Sequence, residues 1–282
     1  MKFLSITKPG IIFGNLVTVM GGFFLASGEH PFNFSLLLYT LLGMTFVIAS
    51  GCVFNNYIDK DIDSLMERTK NRVLPQQKMS TMTALVYGLV LGILGFAVLY
   101  RQTNLLTVFI AFIGFFVYVV IYSLWFKRQS VFGTVVGGVA GSVPPVAGYC
   151  AVTNQFDAGA IILFLMLFFW QLPHFYAISI YRLKDFSAAR LPVLPLTKNI
   201  QYTKISMIVF ITIYAVISVL PFFYGYVGNL YFSTAIIFGL VWLIMGIIGF
   251  HQKSNAGNIK WSRKMFLFSI INITILCILM GF

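Results

Sequence analysis

Between positions 59 and 67 the chain gathers Asp59, Asp61, Asp63 and Glu67, four of its seven acidic residues. Carboxylates held together repel unless a cation or a base lies between them. If a helix runs through this stretch, Asn55, Asp59 and Asp63 recur four apart and share one face, with Asn56 on its edge. Asp61 is then about 200° round from Asp59 and points elsewhere. Two carboxylates and one or two amide oxygens would converge, an all-oxygen set that suits Mg²⁺ better than Zn²⁺. Arg68 and Arg72 follow, again four apart. A cation site beside paired guanidinium groups matches a diphosphate: the metal takes some phosphate oxygens and Arg offers bidentate donors to the others. The charge pattern alone also fits a solvated loop in which acids and bases neutralise one another.

A second polar cluster, YRLKDFSAARLPVLP at residues 181–195, brings Lys184, Asp185 and Arg190, followed by Pro192 and Pro195, which end any helix. Asp157 and Glu29 belong to neither cluster and are expected at the opposite ends of their helices.

The elements that position these residues follow from composition. At 59% hydrophobic and 9% charged residues, with a mean hydropathy of +0.92, the chain is far more apolar than a soluble domain, which carries about 25% charged residues. Nine continuously apolar runs, near 10–27, 35–54, 82–100, 105–125, 131–152, 158–181, 205–222, 231–250 and 265–282, each match the roughly 20 residues of a membrane-spanning helix. A membrane barrel would alternate instead. The expected fold is all-α, one transmembrane domain over residues 1–282, with polar connectors at 55–81 and 182–204. Eighteen of the nineteen Lys and Arg residues fall at the N-terminus and after even-numbered helices, leaving Arg101 alone on the other side. The positive-inside rule then puts the N-terminus and both connectors in the cytoplasm. Topology and anionic lipid account for the net charge of +12, so nucleic acid is not expected as a partner. The first apolar run reads as a retained helix, not a signal peptide. Cys52, Cys150 and Cys277 fall inside spans without CxxC spacing and imply no disulfide.

NNYIDKDID with ERTKNR resembles the NxxxDxxxD and MxRTxxR signature of the UbiA superfamily of intramembrane prenyltransferases. WQLPHFYAISIYRLKDF with AARLPVLP is similar to its haem branch, the protohaem IX farnesyltransferases. The likeness extends through TKPGIIFGN at 7–15, YSLWFKRQSVFGT at 122–134 and GSVPPVAGYCAVT at 141–153, and fades over the last three helices. It implies helices around a central cavity capped by the two connectors, in a cell inner membrane, with haem B and farnesyl diphosphate as substrates. Asp59 and Asp63, with Asn55 or Asn56, would hold Mg²⁺; Arg68, Arg72 and Lys184 would hold phosphate oxygens; Asp185 would anchor metal from the other mouth. The product, haem O, would pass to a haem-copper terminal oxidase or a haem A synthase.

Two departures leave the metal count open. Position 56 is Asn where many members have Asp, and Ala189, not a second acid, stands four residues after Asp185. His174 suits either axial ligation of haem iron, a propionate or water contact, or a hydrogen bond between helices. Asn15 is expected to face inward, for packing or for substrate. Pro173 is expected to kink the sixth helix and free carbonyls, with Gln171 as one partner for them. Gly133, Gly137 and Gly141 read first as close helix packing and second as a flat wall for a porphyrin. Prenylation of another acceptor would share the first motif but not the second. A transporter would place its ionisable groups near the midplane instead of at one face.

Overall fold

The computed structural model describes residues 2–28 and 30–281, so Glu29 lies outside it. Among the described residues there are nine helices long and apolar enough to cross a membrane: α1 (Pro9–Ser27), α2 (Phe34–Ile58), α3 (Thr81–Gln102), α4 (Leu105–Gln129), α5 (Gly133–Thr153), α6 (Ala158–Tyr181), α7 (Ile200–Phe223), α8 (Asn229–His251) and α9 (Asn255–Leu279). Several start where a polar side chain takes up an orphan backbone N–H, as Asn33 does for Leu36, Ser80 for Thr83, Asn104 for Thr107 and Asp157 for Gly159 and Ala160.

α1 packs on α5, α2 on α3, α4 on α5, α6 on α7 and α9, α7 on α8, and α9 returns to α1, so the helices close on one another. Gly22 and Gly148 carry the α1–α5 approach: a Cβ on Gly22 would overlap the Pro145 carbonyl, and one on Gly148 the Val19 carbonyl. With little hydrophobic drive between helices in lipid, such close backbone contact is a main source of cohesion. Outward faces carry exposed Leu89, Ile93, Phe109, Ile237 and Leu240, as lipid contact requires.

Three expectations need correction. α9 begins at Asn255, ten residues before 265, because Ser254 caps it and Trp261 buries its ring while donating to the Met245 carbonyl at 2.8 Å. Lys260, Arg263 and Lys264 therefore ride on a helix, not a loop. Gln171 does not serve the carbonyls near Pro173: its amide donates to Gly138 O at 2.5 Å and to Ser142 Oγ at 3.0 Å. Both acceptors lie on α5 where the helix steps at Ser142, and Gly138 O also accepts from Ser142 N at 3.1 Å and Ser142 Oγ at 2.8 Å, so Gln171 ties α6 to that step. Pro195 does not stop a helix but opens a short one, Leu194–Thr197. Gly141 abuts Gln171 and Gly137 the Tyr122 ring, so both sit at close helix contacts.

Candidate active site

α2 delivers the first motif. Asp59 caps the helix, and a short helix, Lys60–Leu65, resumes at once. The i to i−4 bonds persist across the junction, Asp59 N to Asn55 O at 2.9 Å and Asp63 N to Asp59 O at 2.8 Å. The four-residue register is thereby kept. Asp59 and Asp63 are each 1% exposed and Asn55 is 3% exposed. Asp61 faces out and forms a two-pronged pair with Arg128, both contacts at 2.7 Å, and that guanidinium holds its carboxyl down at about 2. Arg128 also donates to Ile58 O at 2.5 Å, which ties the end of α4 to the end of α2.

Each buried member of the ladder meets a base from another part of the chain. Lys8 donates to Asn55 Oδ1 at 2.5 Å, Lys127 pairs with Asp59 Oδ2, and Arg72 pairs with Asp63 Oδ2 at 2.7 Å. Burial, aided by Arg72 and Lys127 and opposed by Cys52 and Asp59, pulls Lys8 down to about 8. Lys8 also sits in the left-handed region at φ 56, an uncommon conformation for a residue with a side chain, and directly precedes Pro9, which opens α1. Lys127 reaches the site because α4 is a π-helix over Val117–Phe126. Wider turns of this kind re-aim side chains and cluster at functional sites. The same segment places Ser123 Oγ to accept from Asn55 Nδ2 at 2.9 Å and holds Tyr122 with its ring 5.9 Å from the Lys127 ammonium. Asn55 is thus fixed from both ends of its amide.

The second connector meets the first through apolar contacts. Ile62 and Met66 pack with Ala189, Leu191 and Phe186. Asp185, 9% exposed, stands 3.8 Å from Arg182, whose buried Nε has no hydrogen-bond partner. Arg68 lies within the field of both mouths. Burial lowers its pKa, with Arg72 and Arg182 acting the same way, while Asp63 and Asp185 both oppose the shift.

Other expected residues stand apart. Lys184 is exposed and, among the described residues, forms no ion pair. Asn56 donates to Ile6 O at 2.8 Å and Cys52 O at 2.9 Å, which pins the short N-terminal helix Lys2–Ile6 to α2. Asn15 donates to Ile11 O within its own helix at 2.8 Å. His174 bridges to α9: Ser269 Oγ gives its proton to Phe266 O at 2.6 Å and so accepts from His174 Nδ1 at 2.7 Å. That leaves Nε2 with a free lone pair, between the flanking rings of Trp170 and Phe266, each 4.8 Å away. Lys8, Lys127 and Ser123 are the functional candidates that the motif reading omits. Their signals, a Lys before the first helix-opening Pro and a Lys ending an aromatic run, read equally well as topology charges.

The donor set suits a hard cation. Asn55, Asp59 and Asp63 offer oxygens, and Asp59 Oδ1 is buried without a hydrogen-bond partner among the described residues, an arrangement whose cost a bound cation would remove. Among the described residues no three of His, Cys, Asp and Glu come together as a metal group, so Asp185 does not complete a three-carboxylate cluster with Asp59 and Asp63 here.

The model of the UbiA prenyltransferase family matches residues 15–270. A protoheme IX farnesyltransferase of Protochlamydia amoebophila is 51% identical over 99% of this chain and 97% of its own length, and one of Pseudomonas putida is 50% identical over 99% and 93%. Among solved structures, a digeranylgeranylglyceryl phosphate synthase superposes with a TM-score of 0.80 at 18% identity, covering 99% of this chain and 98% of its own. A UbiA homologue from Archaeoglobus fulgidus bound to GPP and Mg²⁺ gives 0.72 at 14% identity, covering 97% and 99%. Matched by the family model over most of its length and by relatives that share about half its residues, this chain belongs to the UbiA prenyltransferase family.

Proposed function

We propose that this enzyme transfers the farnesyl group of farnesyl diphosphate to a vinyl group of protohaem IX, with addition of water, giving haem O and diphosphate. The carrying observation is the Asn55–Asp59–Asp63 ladder ringed by Lys8, Arg68, Arg72 and Lys127; the acceptor follows from the protoheme IX farnesyltransferases that share about half its residues. Asn55, Asp59 and Asp63 would hold Mg²⁺, which supplies positive charge against the leaving diphosphate.

The chain's own residues do the rest. Arg68, Arg72, Lys8 and Lys127 bind and orient phosphate oxygens, and their charge is worth most where water is excluded. The C1–O bond of the prenyl diphosphate breaks with its electron pair leaving on the phosphate. The vinyl π pair then forms the new C–C bond to C1, and water adds to the carbocation beside the macrocycle and gives up a proton. The short helices Lys60–Leu65 and Leu183–Ala188 cap the site, and their apolar junction keeps bulk water from the first cation. Asp185, held loosely by Arg182, approaches the metal or diphosphate from the second mouth once substrate is bound. His174 offers Nε2 to the haem, either to its iron or to a protonated propionate. The connectors 55–81 and 182–204 face the cytoplasm of an inner membrane, and the product serves a haem-copper oxidase or haem A synthase.

The test is mass spectrometry of haem extracted from membranes holding the protein, incubated with haem B, farnesyl diphosphate and Mg²⁺ beside an EDTA control. A Mg²⁺-dependent species heavier by one farnesyl group plus the elements of water supports the reading. Unmodified haem from folded protein rejects haem as acceptor and favours another prenyl acceptor.

A further inference from the structure

A second polar site lies away from the acid ladder, where α7 starts and α8 gives way to α9. A cavity of about 610 Å³ is lined by Asn199, Gln201, Lys204, Gln252, Lys253 and Asn258, with Leu183 and Pro195 of the second connector on its rim. Lys204 is 1% exposed. Its ammonium donates to Gln252 O at 2.8 Å and lies 5.4 Å from the Trp261 ring, and among the described residues no carboxylate is within ion-pair distance. An ammonium has three donors, so two of them look for acceptors. Asn258, 6% exposed, has the converse need: its Oδ1 is buried and accepts nothing. The N-termini of α7 and α9 both open on this cavity, which adds their positive dipole ends.

The carboxylate nearest in sequence to the cavity lining, Asp185, stands 3.8 Å from Arg182 and, among the described residues, forms no ion pair with Lys204. From Phe186 to the end the chain holds no Asp or Glu, yet it carries Arg190, Lys198, Lys204, Lys253, Lys260, Arg263 and Lys264. The compensating anion must therefore come from outside this half of the chain. A donor on that anion would meet Asn258 Oδ1, an acceptor without a partner among the described residues.

We propose that this cavity binds a phosphate ester carrying hydroxyl donors, presented as the headgroup of an anionic phospholipid. The phosphate sits between Lys204, Lys253 and the two helix ends, and a headgroup hydroxyl donates to Asn258 Oδ1. The site is at the depth where α7, α8 and α9 leave the membrane, on the same end as both catalytic connectors, which is where a headgroup lies. Because Leu183 stands two residues before Asp185, a bound lipid also braces the second connector.

The test is native mass spectrometry of the detergent-solubilised full chain titrated with dioleoyl phosphatidylglycerol or dioleoyl phosphatidylcholine, whose choline has no donor. One phosphatidylglycerol should be retained at least tenfold more tightly than phosphatidylcholine. Lys204→Met and Asn258→Leu should each reduce that preference, the first by about tenfold. Should Lys204→Met fold poorly, the exposed Lys253→Gln should still weaken phosphatidylglycerol severalfold, whereas Lys260→Gln, which removes the same charge outside the cavity, should not. Equal retention of the two lipids, or equal losses in Lys253→Gln and Lys260→Gln, overturns the site. Soluble sn-glycerol 3-phosphate binding as tightly as the lipid overturns the lipid as its source.

Discussion

The two connectors use the same residue types in different states of readiness. In the first, Asp59 and Asp63 are 1% exposed and each is clamped by a base within ion-pair distance, one of them drawn from α4, 68 residues away. In the second, Asp185 is loosely paired with Arg182 at 3.8 Å, Arg182 Nε has no partner, and Lys184 projects into solvent. A buried carboxylate must have its charge compensated, and Lys127 of α4 and Arg72 of the first connector do so for Asp59 and Asp63. The second, nearer the surface, can wait for substrate to complete it. We read the first as a prebuilt receptor and the second as a closing part.

This contrast orders the effects of substitution. Asp59→Asn removes a carboxylate proposed to hold the metal, and should lower prenyl transfer by about 10²–10³-fold, the range seen when one preorganised electrostatic group is lost; turnover in proteoliposomes, with helix content checked by circular dichroism, measures it. An unchanged rate would sink the prebuilt receptor. Arg72→Gln should act mainly on binding, raising KM for farnesyl diphosphate by about tenfold or more, since a charged hydrogen bond is worth about 1.5–3 kcal/mol. It also leaves Asp63 without its base, so added Mg²⁺ should restore more thermal stability to this variant than to wild type. Asp185→Asn should cost about tenfold in kcat with little change in KM for farnesyl diphosphate; a loss as large as that of Asp59→Asn would place both connectors on equal footing. Lys184→Gln, exposed and unpaired, should stay within about twofold, as surface charges usually do.

The first connector was legible because its information is local. Asn55, Asp59 and Asp63 are spaced by the helix period, and the structure keeps that register through i to i−4 bonds even where the helix is interrupted. Nine apolar runs likewise announce the nine helices that, among the described residues, are long and apolar enough to cross a membrane, since lipid forces each span to be continuous. Partners from distant elements were not legible. Lys8 and Lys127 reach Asn55 and Asp59 only because α1 opens just after a left-handed residue and α4 widens into a π-helix, neither of which leaves a periodic mark. Gln171 shows the same limit: proximity in sequence suggested Pro173, whereas its acceptors lay on α5. Asn56, one position from the ladder, proved to hold the N-terminal helix instead of facing the acids.

Spacing therefore identifies the acids, and only the folded bundle identifies their bases. That division explains why the family signature is short while the site is assembled from α1, α2, α4 and two connectors.

The most direct test of the buried ladder as the metal–diphosphate receptor is electron paramagnetic resonance of Mn²⁺, used in place of Mg²⁺, with purified protein and farnesyl diphosphate. The account predicts a bound Mn²⁺ signal in the presence of the diphosphate that is lost in both Asp59→Asn and Asp63→Asn but kept in Lys184→Gln. Equal Mn²⁺ binding by wild type and the two aspartate variants would contradict it.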